Sequence, residues 1–246
     1  MLILAMTTLA AMATGGASVL IVADEIPAMQ ALAEGMKGLK AVESRIVRQT
    51  EMPEELRAYD AVIVYIHGRL DQKPEEALLA YAEAGGKLIL LHHSISSGKR
   101  SNARWFSSLG VELPEGHVES GGYKWIEGVS LEVCNLARHP ITRDGVPYSV
   151  RVPFTDPRGR ETLRDGFALE HSEVYINHKL NGRRTTLLGF RYMDTASGRT
   201  WTQPTAGWLK RLGKGWVVYF MPGHTADEFR HPAYLRIITN AVMWTP

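Results

Sequence analysis

The chain contains almost no cysteine, no long hydrophobic run beyond its first residues and no block of like charge. Cys134 is the only cysteine among 246 residues, which excludes an intramolecular disulfide and a cysteine-based zinc site. No apolar segment of residues 18–246 approaches the roughly 18 residues of a membrane span, so we expect no stable membrane insertion. Lysine and arginine total 28 against 26 acidic residues, a net charge of +2 without a basic stripe. Nucleic acid is therefore not an expected partner.

Residues 1–17 carry no charge and are apolar or small throughout. Ala11, Met12 and Ala13 have the small-x-small form of a signal-peptidase site, although the usual basic segment before it is missing. This pattern favours a signal peptide over residues 1–17 and export to the periplasm or the extracellular space. The alternative is a cytoplasmic chain with a wrongly placed start or an apolar first strand. In either case the folded part is expected at residues 18–246.

Short apolar runs alternate with segments of helical spacing along most of the chain. Strands are predicted at residues 18–23, 42–47, 60–66, 87–91, 129–133, 185–190 and 216–220, and helices near 27–39, 52–56, 75–84 and from 232 onward. Continuous apolar strands require cover on both faces, which is typical of parallel sheets. The expected fold is a single α/β domain, a three-layer α/β/α sandwich of flavodoxin-like type with a mostly parallel sheet. Residues 110–165 are rich in glycine, proline and charge, and the alternating run at 129–133 predicts an antiparallel extension.

Histidines follow two of the predicted buried strands. His92 and His93 come directly after residues 87–91, and His224 comes shortly after residues 216–220. Ligands of open α/β sheets bind beyond the carboxyl ends of the strands, so these imidazoles are expected at one rim. Imidazole titrates near neutral pH and is the commonest metal ligand. The alternative is that each histidine is a buried, hydrogen-bonded residue that supports its turn.

Other residues near these strand ends extend the candidate site. Ser94 follows the histidine pair, and Glu25 follows the first strand, where it could equally be an ordinary helix-start acid. Glu173, Tyr175 and His139 supply further ligand types, but without a zinc-protease spacing. Together, His92, His93, Glu173 and His224 could bind a divalent metal ion or act as acids and bases. His171 and His178 are more simply surface or loop histidines, and Thr225 with Glu228 matches a helix capping box.

Five stretches of the sequence resemble the ThuA-like family, named for trehalose utilisation. They are residues 90–93, 137–142, 172–175, 213–225 and 240–244, and the resemblance extends over nearly all of residues 18–244. The chain differs from the family pattern at Ser172, where an acid is common, and at Trp216, where arginine is common. The resemblance implies a fold like that of class I glutamine amidotransferases. Those enzymes use a cysteine at the strand-to-helix turn, where this chain has His92 and His93, so a glutaminase is excluded.

The resemblance implies a protein of carbohydrate metabolism that takes trehalose or a related sugar or keto-sugar as its ligand. The expected chemistry is acid/base or metal-assisted, with His93, His224 and Glu173 as catalytic residues. His92, Ser94, Glu25, Tyr175 and His139 are the expected substrate contacts. The reaction stays open between a hydrolase and a lyase or isomerase. The alternatives are a non-catalytic sugar-binding module and a hydrolase with Ser94 as nucleophile and His224 as base, although Ser94 lacks the surrounding glycines of such enzymes.

Overall fold

A computed structural model describes residues 16–246, and the expected signal peptide therefore falls almost entirely outside the described residues. The strands, numbered in chain order, are β1 (Ser18–Ala23), β2 (Glu43–Val47), β3 (Ala61–Tyr65), β4 (Lys87–Leu91), β5 (Val111–Glu112), β6 (Lys124–Asn135), β7 (Val150–Thr155), β8 (Glu161–Ile176), β9 (Lys179–Leu180), β10 (Thr185–Met193), β11 (Thr200–Leu212) and β12 (Gly215–Phe220). The helices are α1 (Ile26–Lys40), α2 (Gln72–Glu83), α3 (Ala103–Leu109), α4 (Pro140–Arg143), α5 (Ala226–Arg230) and α6 (Pro232–Met243). The fold is mixed α/β, built on one large sheet.

Ten of these strands form the main sheet, in the order β2-β1-β3-β4-β12-β11-β10-β6-β8-β7. The first five are parallel neighbours and follow the strand order of flavodoxin-like folds, with β12 in the fifth position. From β12 onward every neighbouring pair is antiparallel. The prediction of a mostly parallel sheet is therefore wrong, because antiparallel pairs outnumber parallel ones by five to four.

Burial explains why the strands of the parallel half could be predicted from the sequence. Every residue of β3 is fully buried, and β1 and β4 are buried except at their first residues. Continuous apolar strands of this kind need helices on both faces. Helix α1 contacts α5 and α6, whereas α2 contacts α3, β4 and β12.

The antiparallel half was mostly missed, because its strands are half exposed and interrupted. Residues 124–135 and 161–176 are long strands, although residues 110–165 were expected to be irregular apart from the run at 129–133. In β8 exposed residues occur at every second position from Glu161 to Asp165 and again at Ala168 and Glu170, and after His171 every residue is buried. The change coincides with a bulge against β6, where His171 and Gly128 have φ values of 54° and 69°. A bulge redirects the side chains that follow, and the first of these are Ser172 and Glu173.

The antiparallel half curls over the carboxyl rim of the parallel half. Five strand spacings separate β4 from β8 in the sheet order, roughly 24 Å in a flat sheet at about 4.8 Å each. The carboxylate of Glu173 on β8 nevertheless lies 2.9 Å from the imidazole of His92, which follows β4. Among the described residues, no helix is both long and apolar enough to cross a membrane.

Candidate functional site

The turn after β4 holds its first histidine in an unusual backbone conformation. His92 opens a short 3-10 helix, His92–Ile95, with a φ of 45°. Positive φ is uncommon outside glycine, costs of order 1–3 kcal/mol and occurs often at functional sites. The turn after β12 faces it: Gly223 has a φ of 127°, and a Cβ there would lie 3.4 Å from the Cβ of His92. A side chain at residue 223 would also lie 2.7 Å from the ring of Phe229 on α5, so glycine is required by the packing of this turn against α5.

Four side chains converge on one point between these turns. Oε2 of Glu173 lies 2.9 Å from Nε2 of His92, 3.4 Å from Nε2 of His93 and 3.2 Å from Nδ1 of His224. One ligand atom from each of the four lies within 4.8 Å of the others. We call these four residues the histidine–glutamate cluster. The four residues belong to three separate segments: the turn after β4, strand β8 and the turn after β12. The two turns are strand ends of the kind at which ligands were expected.

The ring of His92 has a defined orientation and protonation. Nδ1 lies 2.6 Å from the carbonyl oxygen of Met221, which can only accept, so Nδ1 carries a proton and donates it. In neutral His92, the lone pair of Nε2 would then face a carboxylate oxygen of Glu173 at 2.9 Å. Two acceptors at that distance require a cation between them, either a proton on Nε2 or a metal ion. A ligating histidine that donates its second nitrogen to a carbonyl is the usual arrangement at metal centres.

The electrostatics of the cluster follow from burial and from this mutual contact. Burial raises the pKa of Glu173, but the contacts with His224, His92 and His93 outweigh it and hold the pKa well below its usual range. Burial lowers the pKa of His93 to about 3, against the raising effect of Glu173. For His224, Glu173 raises the pKa and partial burial opposes the shift. The cluster is therefore a carboxylate held ionised by imidazoles.

A second carboxylate shapes the turn that carries His224. Glu228 accepts hydrogen bonds from the backbone N–H groups of Gly223, His224 and Thr225, and the predicted capping box of Thr225 and Glu228 is present. The hydroxyl of Ser172 donates to Oε2 of Glu228 over 3.2 Å. Ser172 therefore links the bulged strand β8 to the turn beyond β12.

Comparison with known proteins places the chain in a family. The family model described as "ThuA: Trehalose utilisation" matches residues 18–245. The chain belongs to the ThuA family. None of the curated proteins matches it in sequence.

Solved structures with the same fold include two ThuA-like proteins. That from Bacteroides uniformis has a TM-score of 0.63 at 16% identity, with 93% of this chain and 91% of that chain covered. That from Parabacteroides merdae has a TM-score of 0.61 at 13% identity, over 92% and 88% of the two chains. A cytoplasmic protein from Salmonella typhimurium LT2 has a TM-score of 0.59 at 12% identity, over 92% and 98%. At these identities the likeness shows the fold alone.

The strand end after β3, where sequence reasoning named no residue, also faces this rim of the ThuA domain. Nδ1 of His67 lies 3.4 Å from Oε1 of Glu25, and the ring of His67 stacks on that of His93 at 4.1 Å. The hydroxyl of Tyr65 donates to the carbonyl oxygen of Gly223 over 2.7 Å and lies 3.3 Å from Oε2 of Glu25. The strand-end rule that identified His92 and His93 would have identified His67, which follows β3 by two residues. Glu25 thus lies at the rim as predicted, with a partner that was missed.

Ser94 and Tyr175, two of the predicted substrate contacts, do not face open space. Ser94 is fully buried, and its hydroxyl is within 2.8 Å of the carbonyls of Val64 and Leu91, so it supports the turn and cannot serve as an exposed nucleophile. Tyr175 is also fully buried, with its hydroxyl 3.2 Å from Glu173, so it supports the cluster instead of stacking on a ligand.

His139 lies at the opposite end of the sheet from the cluster. Its Nδ1 accepts from the N–H of Ile141 at the start of α4, and its ring lies 5.2 Å from that of Trp244. The carbonyl of Trp244 accepts from Lys87, the first residue of β4, whereas the cluster follows the last. His139 caps α4, and a ligand bound at the cluster would not reach it.

Two further buried residues hold the rim together. Lys99 is fully buried, and its ammonium donates to the carbonyls of Ile66, His67 and His93 at 2.6, 3.2 and 3.2 Å. It ties the turn after β3 to the turn after β4. His178 was expected as a surface or loop histidine and is a buried loop residue. Its Nε2 lies 3.2 Å from the carbonyl of Ile95, outside the cluster. Because lysine side chains are normally exposed, nothing in the sequence indicated that Lys99 is buried.

Proposed function

We propose that this ThuA-family chain binds a divalent metal ion at the histidine–glutamate cluster and uses it to act on a sugar or keto-sugar. The observation that carries the proposal is the pairing of His92 with Glu173. The proton on Nδ1 of His92 is committed to Met221, and a metal ion satisfies the two acceptors that face each other at 2.9 Å. One ligand atom from each of the four residues lies within 4.8 Å of the others.

The donor set and its spacing fit one ion. Nitrogen and oxygen ligands lie about 2.0–2.2 Å from zinc, so neighbouring ligand atoms around one ion are roughly 3–3.6 Å apart. The separations from Glu173 Oε2 to the three imidazoles, 2.9, 3.2 and 3.4 Å, lie close to that range. Imidazole with carboxylate suits zinc, iron, nickel, copper or manganese. When bound, such an ion would polarise a carbonyl or hydroxyl oxygen of the ligand.

The substrate is expected to approach from the side of His224 and His67. The side chain of His224 is about one quarter exposed, whereas those of His92, His93 and Glu173 are at most 5% exposed. Glu25 and His67 flank this opening and could accept and donate hydrogen bonds to sugar hydroxyls. The family description, trehalose utilisation, is the support for a sugar. Proton transfer beside a polarised carbonyl suits hydrolysis, elimination or isomerisation of a keto-sugar.

The first experiment is elemental analysis of the purified protein, followed by a screen of sugars and keto-sugars for thermal stabilisation and turnover. We expect about one transition-metal ion per chain and at least one stabilising keto-sugar. The variant Glu173→Gln should lose the metal, while Glu170→Gln, an exposed neighbour on the same strand, should retain it. Absence of metal from the wild type, even after incubation with zinc, manganese and iron salts, would refute the metal centre.

His224→Asn separates an enzyme from a non-catalytic binding module. If the chain is an enzyme, this variant should lose turnover of the stabilising sugar, whether or not it still binds that sugar. A chain that binds the sugar without converting it in any metal form would be an accessory module.

We also propose that the protein is exported and that its parallel half is a three-layer sandwich. The uncharged segment 1–17 supports export, and N-terminal sequencing of protein recovered outside the host cytoplasm tests it. An intact Met1 in that protein would exclude cleavage. The separate contacts of α1 with α5 and α6, and of α2 with α3, support helices on both faces. An experimental structure would test that arrangement.

A further inference from the structure

A cavity of about 250 Å³ in the antiparallel half gathers four arginines. It is lined by the end of β6, residues 136–138, α4 and the strands β7 and β8. Residues 137–142 are one of the stretches that resemble the ThuA family, and the histidine–glutamate cluster uses none of them. The charged residues of the cavity wall are Arg138, Arg143, Arg151, Arg164 and Asp165.

The wall carries more positive charge than its own carboxylate can neutralise. Nη1 of Arg151 lies 2.9 Å from Oδ1 of Asp165, so these two charges cancel. Among residues 16–246, the ion pairs of arginine are made by Arg151 and by arginines elsewhere in the chain. Arg138, Arg143 and Arg164 therefore leave three uncompensated positive charges around one cavity.

These arginines are open to a ligand. Arg138 and Arg143 are exposed, and Arg164 is half-buried, with Nε donating to Oγ1 of Thr162 over 3.0 Å. None of the three has a nitrogen that is both fully buried and without a partner. Gathered guanidinium groups repel one another, and an anion that accepts their hydrogen bonds removes that repulsion.

A phosphate group fits this wall better than a carboxylate does. One arginine suffices for a carboxylate, as the pair of Arg151 and Asp165 shows. A phosphate monoester carries a charge of about −1.5 to −2 near pH 7 and has three acceptor oxygens, which matches several guanidinium groups at once. Cavities for drug-sized ligands hold roughly 300–1,000 Å³, so a cavity of about 250 Å³ suits a smaller occupant.

We propose that this cavity binds the phosphate group of a small molecule, either inorganic phosphate or a phosphate monoester, with Arg138, Arg143 and Arg164 as its charged contacts. The cavity shares no residue with the histidine–glutamate cluster. Asp165 and Glu173 both belong to β8, but roughly 27 Å of strand separates them at about 3.4 Å per residue. The phosphate site does not depend on the metal centre or on a sugar substrate.

The test is isothermal titration with inorganic phosphate, glucose 6-phosphate and gluconate, each at the same ionic strength set with sodium chloride. We expect saturable binding of at least one of the two phosphate compounds, and at least tenfold weaker binding of gluconate. Tighter binding of glucose 6-phosphate would assign a phosphate ester, and tighter binding of inorganic phosphate would assign the free ion. Absence of saturable binding, or gluconate binding as tight as that of phosphate, would overturn the proposal.

Exposed arginines provide the variants and their matched control. Arg138→Gln and Arg143→Gln should each weaken phosphate binding at least fivefold, and urea unfolding should show that both variants keep the stability of the wild type. Arg104→Gln removes the same charge from an exposed position on α3 outside the cavity, and it should bind as the wild type does. Equal losses in Arg104→Gln and Arg138→Gln would refute a specific site.

Asp165→Asn gives a change in the opposite direction. It removes the only carboxylate of the cavity wall and frees Arg151, so phosphate should bind several-fold more tightly. A folding defect would not produce such a gain, and weaker binding in this variant would contradict the proposal. Glu173→Gln should bind phosphate unchanged, which separates this site from the metal centre.

Discussion

At the scale of single residues, the site depends on which atoms can donate and which can only accept. The carbonyl of Met221 fixes the proton of His92, and Glu228 satisfies three backbone N–H groups ahead of α5. Ser172 completes this arrangement by donating to Glu228. The family pattern often has an acid at this position, and the serine here faces a buried carboxylate. A substitution that restores the acid would place two carboxylates together.

Ser172→Asp should therefore destabilise the protein strongly. An unpaired charge buried beside Glu228 is expected to cost about 3 kcal/mol or more, whereas Ser172→Ala loses only a hydrogen bond to a charged group, about 1.5–3 kcal/mol. Urea unfolding of the two variants measures the difference. Equal destabilisation by alanine and aspartate would show that the charge of Glu228 is compensated by something other than Ser172.

The single cysteine offers a test of burial at the same scale. Burial raises the pKa of the Cys134 thiol to about 12. The thiol therefore stays protonated in the folded protein at pH values where it ionises in the unfolded chain. Stability should then fall as pH rises from about 9 toward 12, by up to about 1.4 kcal/mol per unit. Cys134→Ala should show a shallower loss over that window. Identical pH profiles for the two proteins would contradict a buried, protonated thiol.

At the scale of elements, the strand ends and their common rim could be predicted, but the path that brings β8 to that rim could not. Apolar continuity located β1, β3 and β4, and the rule for strand ends then placed His92, His93 and His224 at one rim. Glu173 was named from its ligand type and from the resemblance and not from its position, because β8 reaches the rim through a bulge and a curl that no local pattern in the sequence describes. Ser94 was expected to contact the substrate and is buried instead, with its hydroxyl held by carbonyls of the turn. Lys99 was not singled out, because lysine side chains are usually exposed.

Gly223→Ala tests how tightly the turn after β12 packs against α5. The new Cβ would lie 2.7 Å from the ring of Phe229, at a backbone φ of 127° that disfavours side chains. We expect a loss of about 2–3 kcal/mol, from strain together with the clash. Gly182→Ala is the matched control: its φ is 82° and its Cβ would meet nothing within 4 Å, so it should cost only the strain, about 1 kcal/mol. Comparable losses in denaturant unfolding would mean that the turn can relax.

Lys99→Met tests the tie between the turns after β3 and β4. The methionine keeps the buried stem and leaves three carbonyls without their donor, for which we expect a loss of about 3 kcal/mol and at least tenfold weaker metal binding. Lys73→Met, at an exposed lysine of α2, should change neither quantity. Competition with a chromophoric chelator measures the metal affinity. An unchanged affinity in Lys99→Met would show that His93 keeps its position without the tie.

At the scale of the whole molecule, the histidine–glutamate cluster joins the two halves of the sheet. His92 and His93 extend from the parallel half, whereas Glu173 belongs to β8, five strands away in the sheet order. A ligand that binds all four residues therefore binds only when the antiparallel half is curled over the rim. Such binding stabilises the complete fold and not one half of it.

The metal should accordingly stabilise both halves together. At a free concentration of about 100 times its dissociation constant, the bound ion adds roughly 2.7 kcal/mol to the free energy of unfolding. Hydrogen exchange should slow both in β4 and in β8, and a chelator should reverse both effects. Glu173→Gln should show neither, since it removes the only ligand from the antiparallel half. If the metal protected β4 but left β8 unchanged, the ion would be held by the histidines of the rim alone, and Glu173 would be a residue that orients them and not a ligand.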